Sequence, residues 1–121
     1  MTDTRKQGKS WEKAAERFLR KKGLRSVTRN FGSRFGEIDL VMLDGATLVF
    51  VEVRYRARAT HGTGAESVTA LKQSRITAAA RAYLKREKRH ASRPCRFDVV
   101  SIGQDGEQAR FDWIRSAFEA A

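Results

Sequence analysis

The run Gly-Glu-Ile-Asp-Leu-Val-Met-Leu at 36–43, answered at 49–54 by Val-Phe-Val-Glu-Val-Arg, constrains this chain more than any other part of it. Both runs are apolar and rich in β-branched residues, which suits buried strands. Both nevertheless carry a carboxylate near the middle, Asp39 and Glu52, and a buried charge is costly unless it is paired or holds a metal. Asp44-Gly45 between them reads as a hairpin turn. Side chains alternate along a strand, so Glu37, Asp39, Val41 and Leu43 share one side, as do Leu48, Phe50, Glu52 and Arg54. A two-residue loop, Asp44-Gly45, would pair Leu43 with Ala46 and leave Glu52 diagonal to Asp39. A four-residue loop would pair Leu43 with Leu48 and set the two acids directly opposite. Either turn puts both acids on one face, about 5–8 Å apart at Cβ. That is within reach of one divalent cation.

The 121 residues suit a single domain. Their formal net charge of +11 favours an acidic partner, nucleic acid first among them. The charge is unevenly spread: +7 over residues 1–30 and +9 over 54–93, against −3 over 31–53 and −2 over 94–121. An acidic centre flanked by basic segments is the layout of a metal-dependent nuclease, with cations for phosphates and carboxylates for the metal. The lone Cys95 excludes an internal disulfide and a cysteine-based zinc site. No apolar run approaches the roughly 20 residues of a membrane span, and residues 1–30 lack a signal peptide's apolar region. These features predict a cytoplasmic chain with no membrane partner.

Residues 1–9 are polar and read as a flexible tail, leaving 10–121 as the folded domain. Ser10 is placed to cap a helix over 11–22, where Trp11, Ala14, Ala15, Phe18 and Leu19 recur at helical spacing and Gly23 closes the run. Glu12 lies at the rim of that stripe, better placed than Glu16 to look into a site between helix and sheet; a first-turn glutamate favoured by the helix dipole is the plainer alternative. A short strand over 24–30, a loop over 30–36 and the acidic hairpin follow. Residues 55–64 read as a basic loop, whose Arg56 and Arg58 could meet phosphates and whose His61 could touch a substrate. A long helix over 66–89 carries Lys72 on the face of Val68, Ile76, Ala79 and Tyr83, from which it can snorkel or extend toward the hairpin acids. Residues 96–102 form a fourth strand. After a turn near Asp105-Gly106 and the run Arg110–Trp113, a short helix is expected to finish the core with Phe111, Trp113, Ile114 and Phe118.

An acid followed on a later strand by Glu-x-basic is an arrangement for metal-assisted phosphodiester cleavage. Hard oxygen ligands suit Mg²⁺ or Mn²⁺, which acidify bound water and neutralise phosphate charge. In that scheme Asp39 and Glu52 are the metal ligands, the Val53 carbonyl is an extra donor, and Glu12 or Glu37 completes the set. Arg54 and Lys72 position water or phosphate. Arg29, Arg56, Arg58 and Arg75 lie along the substrate backbone.

The chain resembles the YraN family, small bacterial proteins predicted to be endonucleases. The resemblance runs from about Gly8 to Phe118. It rests on Gly8-x-x-x-Glu12, Arg29-Asn30, Gly36-Glu37-Ile38-Asp39-Leu40, Phe50-Val51-Glu52-Val53-Arg54, Lys72 and Arg96-Phe97-Asp98-Val99-Val100. It implies an α/β, restriction-endonuclease-like fold with a mixed central sheet of about four or five strands flanked by helices. That fold is distantly similar to archaeal Holliday-junction resolvases and to PD-(D/E)xK nucleases. It implies further a Mg²⁺-dependent endonuclease acting on DNA, with branched or structured DNA as the substrate and a homodimer as the assembly resolvases use. Arg54 departs from the pattern, which has lysine there. Arginine stays protonated and can hold phosphate charge but hardly act as a base. The alternative is therefore a non-catalytic nucleic-acid-binding protein that keeps the nuclease fold.

Overall fold

In a computed structural model, which describes residues 4–56 and 68–120, the acidic hairpin lies inside a five-stranded mixed sheet with a helix on each face. The elements are α1 (Thr4–Lys21), β1 (Arg25–Gly32), β2 (Glu37–Asp44), β3 (Thr47–Arg56), α2 (Ala70–Arg86), β4 (Cys95–Asp105) and β5 (Gln108–Phe118). The strands stand in sequence order; β3 and β4 are parallel and the other neighbours antiparallel. This is the α/β architecture expected of a restriction-endonuclease-like fold, with all five strands present.

Period-two alternation divides the core between the two faces. Leu40, Met42, Val49, Val51, Val100 and Ile102 pack under Ala15 and Leu19 of α1. Val41, Leu43, Leu48, Phe50, Phe97 and Val99 pack under Ile76, Ala79, Ala80 and Tyr83 of α2. Central strands that bury both faces have no room for exposed polar residues, which is why β2 and β3 read as nearly continuous apolar runs.

Several local expectations change. Helix α1 begins at Thr4, so Ser10 lies within it rather than capping it, and residues 4–9 of the expected tail are helical. Its end is as expected: Gly23 adopts φ 104°, and the Leu24 and Gly23 amides donate to the Leu19 and Arg20 carbonyls. Helix α2 starts later and stops earlier than 66–89; Thr69 Oγ1 accepts from the Lys72 amide at 3.2 Å and caps it. The loop after β1 shrinks to residues 33–36. Of the two hairpin registers left open, the structure takes the one that pairs Leu43 with Leu48, and Asp44 opposite Thr47 closes it around Gly45-Ala46.

The short C-terminal helix does not form. Residues 108–118 are strand β5 instead, paired along β4. Ile114, Ala117 and Phe118 recur at the three- and four-residue spacing of a helix, but a bulge produces that spacing here. The register shifts between Phe97 and Val99, and Ser116 takes φ 48°, which lets Ile114, Ala117 and Phe118 all reach the α2 side of the sheet.

Candidate functional site

The hairpin register is the one that would place Asp39 opposite Glu52, yet the β2–β3 ladder ends one pair earlier, at Leu40 and Val51. From there β2 runs back to Glu37 while β3 continues to Arg56, still paired with β4. The two strands part like a fork, and the acids stand in its crotch. Asp39 Oδ2 spans the opening by accepting the Val53 amide at 2.8 Å. That bond replaces a missing ladder bond and fixes the carboxylate against β3.

Glu52 is only 6% exposed at its side chain, and Lys72 Nζ reaches over from α2 to within 3.2 Å of its Oε1. The Lys72 side chain is itself about half exposed, so the pair has one buried and one solvated partner. Burial, then the neighbouring Asp39, pushes the Glu52 carboxyl up to about 7, against the pull of Lys72 and Arg54. Burial likewise raises Asp39, opposed by the Val53 amide and by Lys72.

Glu12 enters from the α1 side. Burial, Asp39 and Glu37 together raise it to about 7, while the Asn30 side chain lowers it. Its Oε1 is buried and unpartnered. Asn30 is positioned by its backbone: φ is 55°, a left-handed value that asparagine tolerates better than most residues. This Asn30 contact was not anticipated as part of the site. Its sequence signal is an asparagine interrupting a strand pattern just where the opposite strand carries Asp39.

The other expected residues are more scattered. Glu37 is exposed at the start of β2, near enough to raise both Glu12 and Asp39. Arg54 is half-buried two residues beyond Glu52 and stabilises its carboxylate. Arg75 is exposed on α2, one turn beyond Lys72. Arg29 is engaged elsewhere, with its Nε 3.4 Å from Glu16 Oε1. Arg56 is half-buried at the end of β3, beside β4. Arg58 and His61 lie outside the described residues. Trp11 of α1 stacks on Tyr55 of β3 at 4.3 Å beside the fork, an aromatic pair the sequence did not connect.

Crowded, desolvated carboxyls that repel one another are what a divalent cation would compensate, and the unpartnered Glu12 oxygen points the same way. The donors are all hard oxygens, which fits Mg²⁺ or Mn²⁺. Among the described residues no group of three or more His, Cys, Asp or Glu is gathered closely enough to hold a metal ion. The oxygens nearest one another here are those of the Asp39–Glu52 pair. Mg²⁺ commonly takes only one or two carboxylates and leaves the rest to water and substrate phosphate.

The raised Glu52 carboxyl has a measurable consequence without metal. Its folded value near 7 lies above the ordinary 4.5, so between those values the folded state holds a proton that the unfolded state releases. Stability from this group is complete below about pH 4.5 and is lost as pH rises through 7. In EDTA, Glu52→Gln should match the wild type near pH 4 and exceed it near pH 8, by on the order of 1–3 kcal/mol. Urea midpoints across that range test this; parallel curves for the two proteins would refute it.

Comparison with known proteins places the chain among close relatives. A family profile described as "Uncharacterised protein family UPF0102" matches residues 11–102. A UPF0102 protein of Stutzerimonas stutzeri is 47% identical over 120 residues, covering 99% of this chain and all of the relative. One from Aeromonas hydrophila is 52% identical over 92% of this chain and 83% of its own. A third, from Chromohalobacter salexigens, is 50% identical over 98% of this chain and 94% of its own. Among the described residues, no helix is long and apolar enough to cross a membrane.

Proposed function

The chain belongs to the UPF0102, or YraN, family, and we propose that it is a metal-dependent endonuclease that hydrolyses DNA phosphodiester bonds, with branched or otherwise structured DNA as the substrate. The observation that carries this reading is the fork: the buried carboxyl of Glu52 and the half-buried one of Asp39, held side by side with a lysine ammonium 3.2 Å from one of them. A structural ion pair would need only one acid. Two acids with raised proton affinity in one desolvated place signal a site built for something positive that arrives from solution.

Asp39 and Glu52, with the Val53 carbonyl, would hold Mg²⁺ or Mn²⁺, and Glu12 and Glu37 are the supporting acids. When bound, the ion supplies an acidified water and neutralises charge on the phosphate. The Val53 amide locks Asp39 in place, so the first ligand costs little ordering on binding. With the acids engaged, Lys72 would be free to leave Glu52 and to hold a phosphate oxygen or orient the attacking water. Arg54, permanently protonated, steadies phosphate charge and takes no proton. Arg75 extends this positive surface along α2.

The test is cleavage of labelled duplex, single-stranded and four-way-junction DNA in Mg²⁺ or Mn²⁺ against EDTA. Metal-dependent cutting supports the reading and reveals the substrate shape. One observation favours a second reading, nucleic-acid binding without cutting: Lys72 already neutralises Glu52, and Arg54 stands where a lysine would serve the chemistry. That reading predicts tight binding that falls steeply with salt, as phosphate neutralisation releases counterions, with no dependence on metal and no cutting.

A further inference from the structure

The turn from β1 to β2 leans on the outer side of α2. Gly36 makes that approach possible: a Cβ there would sit 3.2 Å from Arg75 Cβ and 3.3 Å from the Arg75 carbonyl. Beyond the contact lies a groove of about 680 Å³. Its floor is apolar, made by the Phe35 ring, Ala78 and Ala82, and its rim carries Arg34, Arg81, Lys85 and Arg86. Phe35 is 45% exposed, with the Arg34 guanidinium 4.9 Å over its ring.

This groove continues the acid site. Arg75, Ala78, Ala82 and Lys85 recur every three or four residues and form one stripe along α2, with Lys72 about 60° round the helix from Arg75 on the side that faces the sheet. The stripe starts at Arg75, one turn from the ammonium beside Glu52, and ends in the groove. At 1.5 Å per residue, Lys72 lies about 9–15 Å from Ala78 and Ala82 along the axis. That spans a few nucleotides.

A duplex offers phosphates to such a rim but hides its base faces in the stack, leaving an exposed phenyl ring and an alanine floor without a partner. An unpaired base presents a π-face to the ring while its phosphates meet the cations, which is how single strands are generally held. Among the described residues, no carboxylate lines the groove. We propose that this groove binds an unpaired nucleic-acid strand, with one base stacked on Phe35, and leads it along α2 toward Asp39 and Glu52. The substrate class is then a duplex carrying a single-stranded branch or end, an inference that rests on the nuclease reading for its link to the acids.

The test is fluorescence anisotropy in EDTA, with the full chain and a labelled oligo-dT of about twelve nucleotides beside a blunt duplex. Phe35→Ala should weaken oligo-dT binding by about five- to a hundredfold and duplex binding by less than about twofold. Phe35→Trp should retain the affinity and show its indole fluorescence quenched by the oligomer. Free thymidine monophosphate should compete poorly. Unchanged oligo-dT affinity in Phe35→Ala, equal losses on oligomer and duplex, or competition by the mononucleotide as strong as by the oligomer would each overturn the proposal. Because the readout needs no cutting, the two readings fail separately. Metal-dependent cleavage with an indifferent Phe35 sinks only the groove; selective loss in Phe35→Ala without cleavage sinks only the nuclease.

Discussion

Replacing Asp39 by alanine is expected to lower metal-dependent cleavage by at least about a thousandfold, since a lost ligand removes several kcal/mol of charge stabilisation from the transition state. Nucleic-acid affinity measured in EDTA should stay level or rise, because the substitution deletes a negative charge that repels phosphate. The Val53 amide complicates the alanine variant, for it loses its acceptor at 2.8 Å. Asp39→Asn resolves this, as a carboxamide oxygen can still accept from Val53 while binding a divalent cation poorly. If Asp39 is a metal ligand, both variants lose cleavage and the asparagine variant keeps wild-type thermal stability or better, since it no longer holds a desolvated acid. If Asp39 is only structural, cleavage should follow stability, with the asparagine variant active and the alanine variant unfolded.

That contrast depends on the fork, whose parts differ in how readable they were. Period-two alternation and the register put Asp39 and Glu52 on one side, and the sequence carries that pattern openly. The parting of the strands was not readable, because it depends on where a ladder stops. The stop lies across from Asn30, whose left-handed backbone sits between the Arg29–Leu40 and Phe31–Ile38 pairs. Lys72 was found by helical spacing, and its contact with Glu52 is the reach the sequence allowed it. The ion pair of Arg29 with Glu16 was not readable, because it joins two elements that no local pattern relates.

The groove by Phe35 was equally hidden. The run 30–36 reads as a loop, and nothing in it says that the turn will fold against α2. Gly36 is the residue that permits it, and a glycine in a loop is read first as a hinge rather than as a point of contact.

The C-terminal strand was missed for a physical reason that yields the largest stability prediction. Asp98 on β4 is fully buried. Its carboxylate accepts from Arg96 Nε at 3.1 Å, Trp113 Nε1 at 2.9 Å and the Ser116 amide at 3.0 Å. Two of those donors belong to β5, and one of them is the amide of the left-handed bulge residue. Asp98 thus holds the bulge that a helical spacing had disguised, and Arg96 ties the same carboxylate to Asp44 at 2.9 Å, on the acidic hairpin. Asp98→Ala should cost about 3–5 kcal/mol, because it strands an indole and a backbone amide and leaves the Arg96 guanidinium with Asp44 alone. Asp98→Asn should cost about 1–3 kcal/mol, keeping one acceptor oxygen but losing the charge that Arg96 faces. Urea unfolding followed by tryptophan fluorescence reads both, with Trp113 reporting on the site itself. A loss below about 1 kcal/mol in the alanine variant would mean that β5 is held by its apolar side chains alone, and that the buried network contributes register rather than stability.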